Sequence, residues 1–206
     1  MLLLALALGY PVASGALAAA GPRQVHRIVC LARSYSMTAE EGGGRSRFDA
    51  ARAEAARLLE EISSGGGEAT VLLYDDDVIP LLQGETDPER LRAAVEGPLC
   101  EVSHRGGDPV RLFRSLAERH LGASRIPTKE VILLTDLQRS GWDDPESWRG
   151  AREALEAVAQ RAQVLVRDVS RGPAHNLAVT SFVPDARFIR PGHPVRLRVT
   201  LRNQGD

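Results

Sequence analysis

The chain has 206 residues, enough for one well-cored domain with additional segments. Hydrophobic residues make up 43% and charged residues 26%, which excludes wholesale disorder. With 26 Lys plus Arg against 27 Asp plus Glu, the net charge of -1 supplies no electrostatic reason to expect nucleic acid as a partner. Cys30 lies in an apolar run and Cys100 follows Gly97, Pro98 and Leu99, so both are expected to be buried free thiols. No CxxC or Cys/His cluster suggests zinc.

From Met1 to Pro22 there is no charge, and leucines alternate with alanines. A secretory signal begins with a basic region, and none is present. A complete membrane span needs about 20 apolar residues, and Tyr10, Pro11, Ser14 and Gly15 interrupt this one. Residues 1–20 are read as the outer part of a truncated transmembrane helix; a signal-like segment and a non-functional leader are the alternatives.

Past Gly21 and Pro22, strands and helices alternate. Val25 to Leu31 is a nearly continuous apolar run of strand length, as in a strand buried on both faces. Ser34 to Gly44 reads as a loop. Phe48, Ala51, Ala55, Leu58, Leu59 and Ile62 recur at helical spacing, and Gly65 to Gly67 end that helix. Ala69 to Tyr74 is a second buried strand, Asp75-Asp76-Asp77 a solvated loop, and Val78 to Leu82 a short edge strand. Helices are predicted around Pro88 to Val95, over Asp108 to Leu121 and over Asp144 to Ala162. Between the last two, Glu130 to Thr135 is the most strand-like run. Gln163 to Val169 reads as a further central strand.

This order implies an α/β fold, a three-layer, doubly wound, mostly parallel sheet over residues 21–172. Ligands in such sheets bind beyond the carboxyl ends of the strands, where strand order reverses. That directs attention to the loops Ala32 to Met37 and Asp136 to Trp142. In residues 173–206, Asn176 to Phe182 and Val195 to Leu201 alternate apolar and polar residues, as half-exposed antiparallel strands do. They are expected to begin an incomplete β-sandwich, because two strands cannot bury a core alone.

Ser34-Tyr35-Ser36-Met37 follows the first strand, Arg47-Phe48-Asp49 opens a helix, and Leu133 to Trp142 (LLTDLQRSGW) closes a later strand. In this order the segments resemble the von Willebrand A family, and within it the Bat-type or aerotolerance-regulator-like membrane proteins. The resemblance implies a non-enzymatic protein-binding module on a bacterial inner membrane, facing the periplasm or cell exterior, with an immunoglobulin-like or adhesion-type sandwich after it. It also implies a metal-ion-dependent adhesion site built from a D-x-S-x-S loop, a threonine and a strand-end aspartate. Ser34, Ser36 and Asp136 match that pattern. Magnesium or manganese would suit such oxygen donors, since hard cations demand them in near-octahedral geometry.

The departures are pointed. Ala32 stands where the family's first aspartate would fall, and Arg33 adds a cation beside it. Arg105-Gly106-Gly107-Asp108 offers no threonine. Losing a carboxylate and gaining a cation weakens divalent binding by about 1–4 kcal/mol per close pair. The expectation is a degenerate site without a cofactor, with weak metal binding or a rearrangement recruiting Asp108 as alternatives. Without a metal, Ser34 and Ser36 would cap their loop and Asp136 the turn after its strand. Tyr35, Arg33, Arg139 and Trp142 are the expected contacts to a protein partner. A metal-dependent hydrolase using strand-end carboxylates and a structural spacer are the competing functions. No nucleophile–base pair at readable spacing favours the first.

Overall fold

The computed structural model describes residues 24–41, 44–138, 142, 145–170, 177–185, 192 and 194–203. The apolar leader 1–20, Arg139 and the glycines Gly42 and Gly43 lie outside the described residues. Among the described residues, no helix is long and apolar enough to cross a membrane.

Five strands form the main sheet: β1 (Val25–Ala32), β4 (Glu68–Tyr74), β5 (Val78–Glu85), β6 (Thr128–Thr135) and β7 (Gln163–Asp168). Their order is β5-β4-β1-β6-β7, with β5 antiparallel to β4 and the other pairs parallel. The two-residue strand β2 (Glu40–Glu41), inside the segment expected to be a plain loop, pairs with β3 (Arg45–Ser46) just beyond it. Helix α1 (Arg47–Gly65) packs with α2 (Pro88–Glu96), and α3 (Pro109–Ser115) packs with α4 (Pro145–Ala159), so helices flank the sheet. The expected α/β architecture is the one found.

The core follows from the pattern that predicted it. Ile28 to Ala32, Val71 to Tyr74 and Val131 to Leu134 are all buried, as strands covered on both faces must be. The α1 stripe Phe48, Ala51, Ala55, Leu58, Leu59 and Ile62 is buried along its whole length. A capping box starts this helix: the Ser46 hydroxyl accepts from the Asp49 amide at 3.1 Å, and the Asp49 carboxylate accepts from the Ser46 amide at 3.0 Å. That box fixes Arg47 as the first helical residue. Gly66, with φ of 70°, closes the helix in a left-handed cap.

Two elements differ from the sequence reading. β7 lies at the sheet's edge rather than in its interior, and its four middle residues are half-buried. The α3 helix does not run on to Leu121; it opens into a wider π-type turn over Leu116–His120. The separate hairpin of β8 (Leu177–Pro184) and β9 (Leu197–Asn203) is antiparallel and leaves Val179, Phe182, Val199 and Leu201 exposed.

Cys30 and Cys100 are free and buried, as expected. Burial pushes both thiols up, Cys100 to about 11. Two buried histidines carry a pH consequence. Burial holds His26 below its ordinary value, with Lys129 adding to the effect and Glu68 opposing it, while burial and Arg119 lower His120. His26 Nε2 meets the Thr70 hydroxyl at 2.9 Å, and its Nδ1 has no hydrogen-bond partner. Both imidazoles are therefore neutral when folded, and the unfolded chain takes up their protons first. Stability contributed by the neutral forms is intact above pH of about 6.5 and falls as the solution is acidified below it. Urea denaturation between neutral and mildly acidic pH should show that slope, and His26→Gln should flatten it.

Candidate functional site

The chain runs outward from β1 to β4 and β5 on one side, then to β6 and β7 on the other, so strand order reverses between β1 and β6. A crevice opens at their carboxyl ends, as this topology dictates. The cleft of about 480 Å³ is lined by Ala32 from the end of β1, the loop Ser34–Ser36, Arg47 at the start of α1 and Tyr74 from β4. His104 to Gly107, Thr135, Asp136, Gln138 and Trp142 complete it. The sequence-predicted residues Ser34, Ser36, Tyr35, Asp136 and Trp142 thus meet in one place.

The loop after β1 folds as a short 3-10 turn, Tyr35–Thr38, closed by the Met37 amide donating to the Ser34 carbonyl at 2.9 Å. Ser34 makes no side-chain cap to this turn. Its hydroxyl instead lies 3.1 Å from that of Ser36, so the two oxygens converge as the spacing suggested. The capping expected of Asp136 falls to Thr135, whose hydroxyl accepts from the Leu137 amide at 3.3 Å. The Thr135 hydroxyl also bonds the buried Tyr74 phenol, whose pKa burial raises.

The Asp136 carboxylate is committed elsewhere. Arg47 Nη1 donates to its Oδ2 at 3.1 Å, with the two side chains 3% and 2% exposed. Nothing in the spacing of residues 47 and 136 announced this pair.

Arg33 and Asp108 do not line the cleft. The Arg33 guanidinium forks onto Asp75 Oδ2 through Nε at 2.9 Å and Nη2 at 2.8 Å. Asp75 is fully buried, which corrects the reading of the Asp75-Asp76-Asp77 run as wholly solvated; only Asp76 and Asp77 are exposed. Burial opposes its charge, but the Asp77 amide, the Ser103 hydroxyl and Arg33 outweigh that and hold the carboxyl below its ordinary value. Backbone bonds from Ser103 to the Arg33 carbonyl (2.7 Å), from Tyr35 to the Arg105 carbonyl (3.0 Å) and from Asp108 to the Asp75 carbonyl (2.7 Å) tie three loops into one wall. The Asp108 carboxylate caps α3 by accepting from the Arg111 amide at 2.9 Å.

The donor set does not suit a divalent cation. Among the described residues one carboxylate reaches the cleft, and a buried guanidinium pairs with it; Ala32 presents a methyl group where a second would be needed. Among the described residues, no three His, Cys, Asp or Glu side chains stand together as metal ligands. The rim, by contrast, is rich in contact chemistry. Tyr35 is 61% exposed and tilts against His104 with ring centroids 5.8 Å apart. Trp142 stacks on Trp148 at 5.3 Å, which in turn meets Phe113 from α3. Leu137 is exposed and holds a left-handed backbone, φ 49°, unusual for a residue with a Cβ.

No protein-family model matches the sequence, and no curated protein matches it. Solved structures do resemble the fold. An aerotolerance-related membrane protein from Bacteroides fragilis is 17% identical with a TM-score of 0.55, over 85% of this chain and 81% of that one. BatB from Bacteroides thetaiotaomicron is 20% identical with a TM-score of 0.53, over 85% and 80%. The PilB minor pilin from Streptococcus sanguinis is 15% identical with a TM-score of 0.51; the match covers 56% of this chain and spans 30% of that one. What the chain shares with these proteins is the fold, a mostly parallel α/β sheet flanked by helices.

Proposed function

We propose that this chain is a non-enzymatic, protein-binding von Willebrand A-type module that works without a bound metal. It is held at a bacterial inner membrane through its N-terminal segment, facing the periplasm or cell exterior. The observation that carries the reading is the cleft at the β1/β6 switch point. Its floor is an internally neutralised ion pair, and its rim bears exposed Tyr35 and Leu137 and half-buried Trp142, with Arg105 beside them. Tyrosine, tryptophan and arginine are the residues that dominate protein contacts. Arg139, two residues after Leu137 in the sequence, is proposed for the same contact. A hydrolytic reading is disfavoured by the Ser34 hydroxyl, whose partner is the Ser36 hydroxyl rather than a base.

Two measurements test this. Calorimetric titration of the wild type with magnesium and manganese should give no heat, and binding at millimolar strength or tighter that Asp136→Ala abolishes would refute the metal-free reading. In pull-downs, a partner recovered by wild type should be lost with Trp142→Ala and kept with Arg152→Ala on α4. Equal recovery by all three would favour a spacer.

A further inference from the structure

We infer that Arg47 is the resident cation of the cleft, a positioning residue that supplies through its guanidinium the positive charge that Asp136 needs. The inference rests on the metal-free reading above and extends it by naming what takes the ion's place. A carboxylate with a side chain 2% exposed cannot stay ionised without a compensating positive charge. Arg47 is similarly buried and its Nη1 lies 3.1 Å from Asp136 Oδ2.

Its placement is built in by the chain. The Ser46–Asp49 capping box makes Arg47 the first residue of α1, and the Arg47 amide donates to the Ala39 carbonyl at 3.0 Å. One residue thus joins the serine-bearing loop, the start of α1 and the end of β6. A second positive ion placed beside Ser34, Ser36 and Asp136 would meet Arg47 as a like charge, with Asp136, the one carboxylate among the described lining residues, already matched. The arrangement therefore does two things: it sets a positive charge against the buried Asp136 carboxylate, and it repels a divalent ion.

Thermal melting of wild type, Arg47→Met and Arg47→Met/Asp136→Asn, each in EDTA and in millimolar manganese, separates this from simple packing. In EDTA, Arg47→Met should melt well below wild type, and the double variant should regain most of that loss, because an amide needs no counter-charge. Manganese should raise the melting temperature of Arg47→Met alone, and titration should give measurable manganese binding by that variant where wild type gives none. Should Arg47→Met fail to fold while the double variant folds, the inference stands on that rescue. It is overturned if the double variant is as impaired as Arg47→Met, or if Arg47→Met folds and shows no response to manganese. Manganese binding by wild type that depends on Asp136 would defeat the metal-free reading as well. A silent Arg47→Met beside a metal-free wild type would defeat this inference alone.

Discussion

Arg33→Ala should lower unfolding stability by about 3–5 kcal/mol, because it strands a fully buried carboxylate without its countercharge. The reverse change, Asp75→Ala, should cost less, since Arg33 retains 15% side-chain exposure and can reach water. Urea denaturation of both variants checks the order. A loss below about 1 kcal/mol for Arg33→Ala would mean that the Asp77 amide and Ser103 hydroxyl satisfy Asp75 unaided. The pH dependence has a definite sign. Asp75 is held below its ordinary carboxyl value, so its contribution is complete above the unfolded pKa of about 4 and is lost as pH falls through the folded one. Arg33→Ala should therefore be less sensitive to strong acid than wild type. Its effects should also reach the cleft, since the wall that Arg33 braces carries Tyr35 and Arg105.

The second large effect is a gain. Ala32→Asp places a carboxylate at a position 2% exposed on the lining of the cleft that Asp136 also lines. Without metal this variant should lose about 3 kcal/mol, the scale of an uncompensated buried charge. Magnesium or manganese at millimolar concentration should then bind and restore much of the loss, because Ser34, Ser36 and two carboxylates supply enough hard oxygen donors. Calorimetry and melting curves read both halves. A destabilised Ala32→Asp that ignores both ions would show that the loop after β1 does not aim these oxygens at a common point.

The strands were legible because burial on both faces leaves a plain mark: Val25 to Leu31 and Glu130 to Thr135 are apolar runs, and the sheet holds both at its centre. Gln163 to Val169 carries a similar run yet sits at the edge. Apolarity records how much of a strand is covered but not whether a neighbour lies on each side of it, so β7 read as central. The convergence of Ser34, Ser36, Tyr35, Asp136 and Trp142 was legible through the rule that doubly wound sheets open their cleft at the strand-order switch.

The ion pairs were not. Arg33 and Asp75 are 42 residues apart, and Arg47 and Asp136 are 89 apart. Charged residues at loop positions default to solvent in any reading of one sequence, and only the fold shows which of them face each other. Asp75 therefore reads from sequence like its exposed neighbours, and Arg33 reads as a contact residue. The glycine-rich turn before Asp108 makes it read as a ligand, but its carboxylate is engaged at the first turn of α3.

The Arg47–Asp136 pair has a consequence in mass action. A bound ion occupies its site only in proportion to its concentration outside, so chelators or a dilute environment empty it. A guanidinium tethered by its own backbone has no dissociation constant, and it keeps its proton at every pH a cell meets. Surroundings poor in divalent ions would leave such a cleft unchanged. Control over its contacts would then rest with the abundance and placement of the partner.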